Sequence, residues 1–131
     1  MKRLFVLLLF VLLLFVISFL KAHYFDDDVK KKAYYSYKEA CDLGNSKGCY
    51  GLGSLYAYGQ GVKKNDSLAK KYYKKACNLG VGLGCTYLGV LYANGQGVNQ
   101  DYSLAKYYFK KACDLGVGKG CYFFGVLSNF R

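Results

Sequence analysis

From residue 4 to residue 20 the chain reads LFVLLLFVLLLFVISFL, apolar at every position but Ser18, with Lys2 and Arg3 before it and Lys21 after. A basic start followed by an apolar run has the layout of a secretory signal peptide. At 17 residues the run is long for a signal core and short for a spanning helix. Residues 1–22 therefore read as a signal peptide or, if left uncleaved, as an N-terminal anchor.

Past residue 28 the solid apolar run gives way to a helical period. Leu68, Ala69, Tyr72, Tyr73 and Ala76 form one apolar stripe, while Lys70, Lys71, Lys74 and Lys75 fall on the opposite face. Asn65 stands where an N-cap belongs, and Asp101 holds the same place one unit later. Gly80 supplies the left-handed residue that ends such a helix. A second helix is predicted over 82–94, with Leu83, Leu88, Leu91 and Tyr92 inward and Gly95 as its stop. Gln96-Gly97-Val98 then turns the chain. With no proline anywhere in the sequence, nothing interrupts these helices.

The same text returns every 36 residues. Cys41, Cys77 and Cys113 are one series and Cys49, Cys85 and Cys121 another, set in YSYKEACDLGNSKGC, YYKKACNLGVGLGC and YFKKACDLGVGKGC. GLGSLYAYGQGV at 51–62 answers YLGVLYANGQGV at 87–98. A fixed period of this length marks a solenoid whose units bury their apolar faces by stacking. The expected fold is all-α, an α/α solenoid of three 36-residue helical hairpins occupying 23–131, with repeats at about 28–63, 64–99 and 100–131.

Each cysteine pair brackets the turn between two antiparallel helices, so Cys41–Cys49, Cys77–Cys85 and Cys113–Cys121 is the pairing that respects the repeat with local bridges. Zinc would ask for closer cysteine pairs and histidines, and His23 is the single histidine. No metal or other cofactor is expected. Gly53, Gly89 and Gly125 recur inside the second helices, where each costs about 1 kcal/mol against alanine. Close backbone approach is the expected reason, with Ala40, Ala76 and Ala112 opposite them. The first helix of repeat one, expected from about Asp28 to Leu43, carries lysine where the others carry leucine, as an outer cap would. The last helix, expected from Lys119 to Phe130, is more apolar through Phe123, Phe124 and Phe130. Those aromatics either offer a homodimer or ligand surface or fold back onto their own repeat.

Composition narrows the setting. Six cysteines in so short a chain fit an oxidising compartment, and with the N-terminal segment they point to a secreted or periplasmic protein. The net charge is +11, falling to +8 when residues 1–22 are removed with Lys2, Arg3 and Lys21. That charge favours acidic partners. Export argues against nucleic acid, and membrane contact is expected only if the N-terminal segment stays attached.

The pattern Ala-x-x-Tyr/Phe-x-x-Ala, followed by Leu-Gly-x-Leu-Tyr and Gly-Gln-Gly-Val, resembles Sel1-like repeats, relatives of the tetratricopeptide repeat. With Cys-x7-Cys in every unit behind a signal-like segment, residues 29–131 resemble the Helicobacter cysteine-rich protein family. That resemblance implies binding of penicillin-type compounds, weak β-lactamase activity in some members, and secreted proteins that meet host, envelope or cell-wall partners.

The residues give the enzyme reading little support. Ser67-x-x-Lys70 and Ser103-x-x-Lys106 have the serine-nucleophile spacing of β-lactamases, but Ser-Asp-Asn and Lys-Thr-Gly are absent from the sequence. Both serines fall at the second helical position, where serine commonly serves free backbone amides. His23 lies away from the repeats, and the acids show no paired-carboxylate spacing. What remains is a solenoid's concave surface, lined by the first helices. Tyr34, Tyr37, Tyr72, Tyr73, Tyr107 and Tyr108 recur there among lysines, and Tyr37, Tyr72, Tyr73 and Tyr108 are the candidate ligand-binding residues, for a peptide, a cell-wall fragment or a β-lactam. The competing reading makes such rings intra-repeat core.

Overall fold

In a computed structural model, residues 1–129 are described and form six helices, with no strand among them. They are α1 (Lys2–Asp42), α2 (Ser46–Tyr58), α3 (Asp66–Asn78), α4 (Gly82–Asn94), α5 (Tyr102–Asp114) and α6 (Gly118–Ser128). Successive helices pack on one another, so the hairpins α1–α2, α3–α4 and α5–α6 stack into the expected all-α solenoid. Phe130 lies outside the described residues.

The first helix differs from expectation. It does not begin near Asp28 but runs unbroken for 41 residues. No glycine or proline occurs before Gly44, and pairs one turn apart bridge the passage from apolar to polar sequence. His23 lies 3.8 Å from Asp27, Asp26 pairs with Lys30 at 2.7 Å, and Asp28 with Lys32 at 3.2 Å. Its apolar part is uncovered by the other described residues and is long and apolar enough to cross a membrane by length and composition.

The caps explain the other boundaries. The Asn65 side chain accepts the Leu68 amide at 3.0 Å, and Asp101 accepts that of Leu104 at 2.9 Å. Asn45 does the same for Gly48 at 3.0 Å, opening α2. At the end of α3, Gly80 adopts φ +94° and donates to the Cys77 carbonyl, while the Val81 amide donates to that of Ala76. This is the double bond of a Schellman turn.

Three disulfides close the hairpins: Cys41–Cys49, Cys77–Cys85 and Cys113–Cys121, with Cα–Cα distances of 4.5, 4.6 and 4.4 Å. Each joins the last turn of a first helix to the first turn of the next. The close approach there is made by Gly48, Gly84 and Gly120, where a Cβ would come within 2.6, 3.0 and 2.6 Å of the Cβ atoms of Ala40, Ala76 and Ala112. The alanines therefore face these glycines, rather than Gly53, Gly89 and Gly125.

Gly53 and Gly89 serve a different contact. A Cβ on Gly53 would lie 2.8 Å from the Tyr73 ring, and one on Gly89 would lie 2.7 Å from the Phe109 ring. Both rings belong to the following hairpin, so these glycines are holes for an aromatic knob at each seam between repeats. Leu52 and Leu88, beside them, are fully buried. Leu83, expected inward, is exposed because Gly84, Cys85 and Leu88 take the inner line of α4.

Candidate binding face

The tyrosines divide into two sets. Tyr73 is 1% exposed and Tyr108 is 8% exposed, so both pack inside the solenoid and do not line an open surface. The Tyr73 ring lies over Gly53 and stacks on Tyr87 of its own hairpin, with centroids 5.6 Å apart. Its hydroxyl donates to Ser54 Oγ at 3.2 Å, and burial pushes its pKa up to about 12. Periodicity places a ring on an apolar stripe, but the next repeat decides whether it is covered.

The second set keeps an open edge. Tyr34 on α1, Tyr56 on α2 and Tyr72 on α3 are each half-buried and touch in sequence. Tyr34 meets Tyr56 edge-on at 6.1 Å, and Tyr56 stacks on Tyr72 at 5.8 Å with planes 7° apart. The Tyr56 hydroxyl donates to that of Tyr34 at 3.3 Å. That hydrogen bond, with some loss of hydration, raises the Tyr56 pKa to about 12.

Lysines frame this row. The Lys71 ammonium lies over the Tyr72 ring, 5.4 Å from its centroid. Lys38 pairs with Asp42 at 3.2 Å, which holds its pKa above the usual lysine value, and Tyr34 and Tyr72 add to that shift. A depression lined by Tyr35, Lys38, Glu39, Asp42 and Leu43 opens beside it. The same stack recurs one repeat on, between Tyr92 and Tyr108 at 5.8 Å, with Tyr107 edge-on to Tyr108 and exposed. Tyr37, the remaining candidate, is 39% exposed and rests against Gly51.

Tyr56 is thus a member of the face that was not among the candidates. Its signal was present in Tyr56 and Tyr92, which share one repeat position on the second helices. The Ser-x-x-Lys candidates stand apart. Ser67 and Ser103 are exposed at the second positions of α3 and α5. Lys106 turns its ammonium to the Phe124 ring, 5.6 Å from the centroid. Among the described residues no cluster of histidine, cysteine, aspartate and glutamate could hold a metal ion.

A stack of disulfide-closed helical hairpins with a period of 36, repeating Leu-Gly-x-Leu-Tyr, defines the class: the chain belongs to the Sel1 repeat family, whose pattern matches residues 23–45, 46–81 and 82–117. The family's unit thus pairs α2 with α3 and α4 with α5, so each tyrosine seam falls inside one unit. Among solved structures, cysteine rich protein B of Helicobacter pylori is 39% identical with a TM-score of 0.68, over 70% of this chain and 69% of that one. A Sel1 repeat protein of Oxalobacter formigenes is 29% identical with a TM-score of 0.70, over 74% of this chain and 40% of that one. A stretch of 45 residues is 42% identical to the cytochrome c oxidase assembly factor 7 homolog of Drosophila melanogaster, of which the chain spans 16%.

Proposed function

We propose that the chain is an exported binding protein that holds an acidic peptide or protein segment along the Tyr34–Tyr56–Tyr72 row. The observation that carries this is the row itself, three half-buried rings with open edges and the Lys71 ammonium over the last of them. Tyrosine joins apolar area to a hydroxyl, and lysine supplies charge complementarity. Export is supported by the structural disulfides, by the apolar N-terminal half of α1 and by similarity to the Helicobacter pylori protein. Residues 1–22 act in this reading as the signal peptide or anchor.

The test is fluorescence anisotropy of glutamate-rich and lysine-rich labelled peptides of equal length. The glutamate-rich peptide is expected to bind more tightly, with Tyr72→Ala or Lys71→Ala weakening it about tenfold. Equal affinity for both peptides would overturn the proposal. Turnover of a chromogenic cephalosporin that disappears in Ser67→Ala or Ser103→Ala would replace it with a β-lactam hydrolase.

A further inference from the structure

Each seam between hairpins is a knob in a hole. Tyr73 of α3 fills the notch at Gly53 of α2, and Phe109 of α5 fills the notch at Gly89 of α4. The third hole of this series is Gly125 on α6, where an added Cβ would meet nothing within 4 Å among the described residues. The first knob of the series is Tyr37 on α1, which is 39% exposed where Tyr73 and Phe109 are 1% and 2% exposed. An unfilled hole and an unseated knob of the same contact therefore stand at opposite ends of the described solenoid.

The surroundings agree. On α6, Phe124 is half-buried and Cys121 exposed, where their equivalents Leu52, Leu88, Cys49 and Cys85 are sealed by the next first helix. On α1, Ala33 and Ala40 are half-buried, where Ala69, Ala76, Ala105 and Ala112 are fully buried. We infer that these ends are two halves of one interface, and that the chain associates head to tail, with α1 of one copy docking on α6 of another and Tyr37 seated at Gly125.

The occupant is a second copy because the chain itself carries both surfaces in the register it already uses twice. The junction is weaker than an internal seam. Ser128 and Ser36 take the places of the stacked pairs Tyr56–Tyr72 and Tyr92–Tyr108. Glu39 takes the place of Lys75, whose ammonium donates to the Cys41 carbonyl at 3.2 Å across the first seam. Association is accordingly reversible, and a head-to-tail contact that repeats the internal seam extends the stack beyond two copies.

The full-length chain in detergent micelles tests this, with a benzophenone amino acid replacing Tyr37 and light and heavy isotope copies mixed before irradiation. Cross-links from position 37 to residues 118–129 of another copy, in a ladder of dimer, trimer and higher species, are expected. Gly125→Leu should abolish the ladder while helical content and the three disulfides persist, since the notch has room for a side chain. A 37-to-37 cross-link, a product that stops at the dimer, or no intermolecular product at submillimolar concentration would overturn the inference. So would a ladder unchanged by Gly125→Leu.

Discussion

The middle and last hairpins share nearly the same text around their cysteines, YYKKACNLGVGLGC against YFKKACDLGVGKGC, yet they sit in different surroundings. Cys77 and Cys85 are sealed, whereas Cys113 is half-buried and Cys121 exposed. Leu88 has no exposed surface, and Phe124 at the same repeat position is half-buried. The difference lies in what comes next: α5 closes the face of α4, and among the described residues nothing closes the face of α6. A repeat's burial is thus partly a property of its neighbour, as a one-dimensional stack requires.

Truncation of the leucine position should separate the two hairpins most widely. Leu88→Ala is expected to destabilise by about 3 kcal/mol, and Phe124→Ala by less than half of that, in chemical denaturation. Equal losses would mean that α6 is covered in solution.

The disulfides should follow the same order. Removing Cys77–Cys85 as a pair of serines is expected to cost about 2–3 kcal/mol by the chain-entropy estimate for so short a loop. In the intact protein, mild reductant followed by alkylation and peptide mapping should label Cys113 and Cys121 before any other cysteine, because reagent reaches them without opening a seam.

The smallest effect is alkaline. Tyr73 ionises at about 12 in the folded chain against about 10 when free, so the folded state holds its proton while the unfolded state gives it up. Stability contributed by that proton is intact below pH 10 and is lost as pH rises from 10 toward 12, by about 1 kcal/mol at pH 11. The seam between the second and third hairpins carries Phe109 at this position and has nothing there to titrate. Tyr73→Phe should therefore flatten the decline in a denaturation series across that range, and a decline of unchanged slope would assign it to other groups.

The local features of this fold were legible in the sequence. The period, the all-helical solenoid, the caps at Asn65 and Asp101, and the turn at Gly80 depend on residues a few positions apart. What could not be read depends on partners further away. Helical spacing placed Tyr73 and Tyr108 on an apolar stripe but could not show that a neighbouring hairpin would cover them. The same blindness matched Ala40, Ala76 and Ala112 to the wrong glycines, since both glycine series lie on second helices and only the packing tells them apart. The length of α1 was missed for another reason. A change from apolar to polar composition looks like a boundary, but Asp26–Lys30 and Asp28–Lys32 make it a well-supported stretch of helix.

That helix has a mechanical consequence. With 41 residues and no hinge, α1 is a rod about 60 Å long whose far end carries Tyr34, the first ring of the tyrosine row. In any chain that keeps residues 2–22, the compass direction of Tyr34 and its neighbours is geared to that of Leu4 through Leu20. Inserting a single residue near His23 would turn the whole solenoid by about 100° and advance it by about 1.5 Å. Spacing in this segment therefore sets where the face looks, independently of what the face can hold.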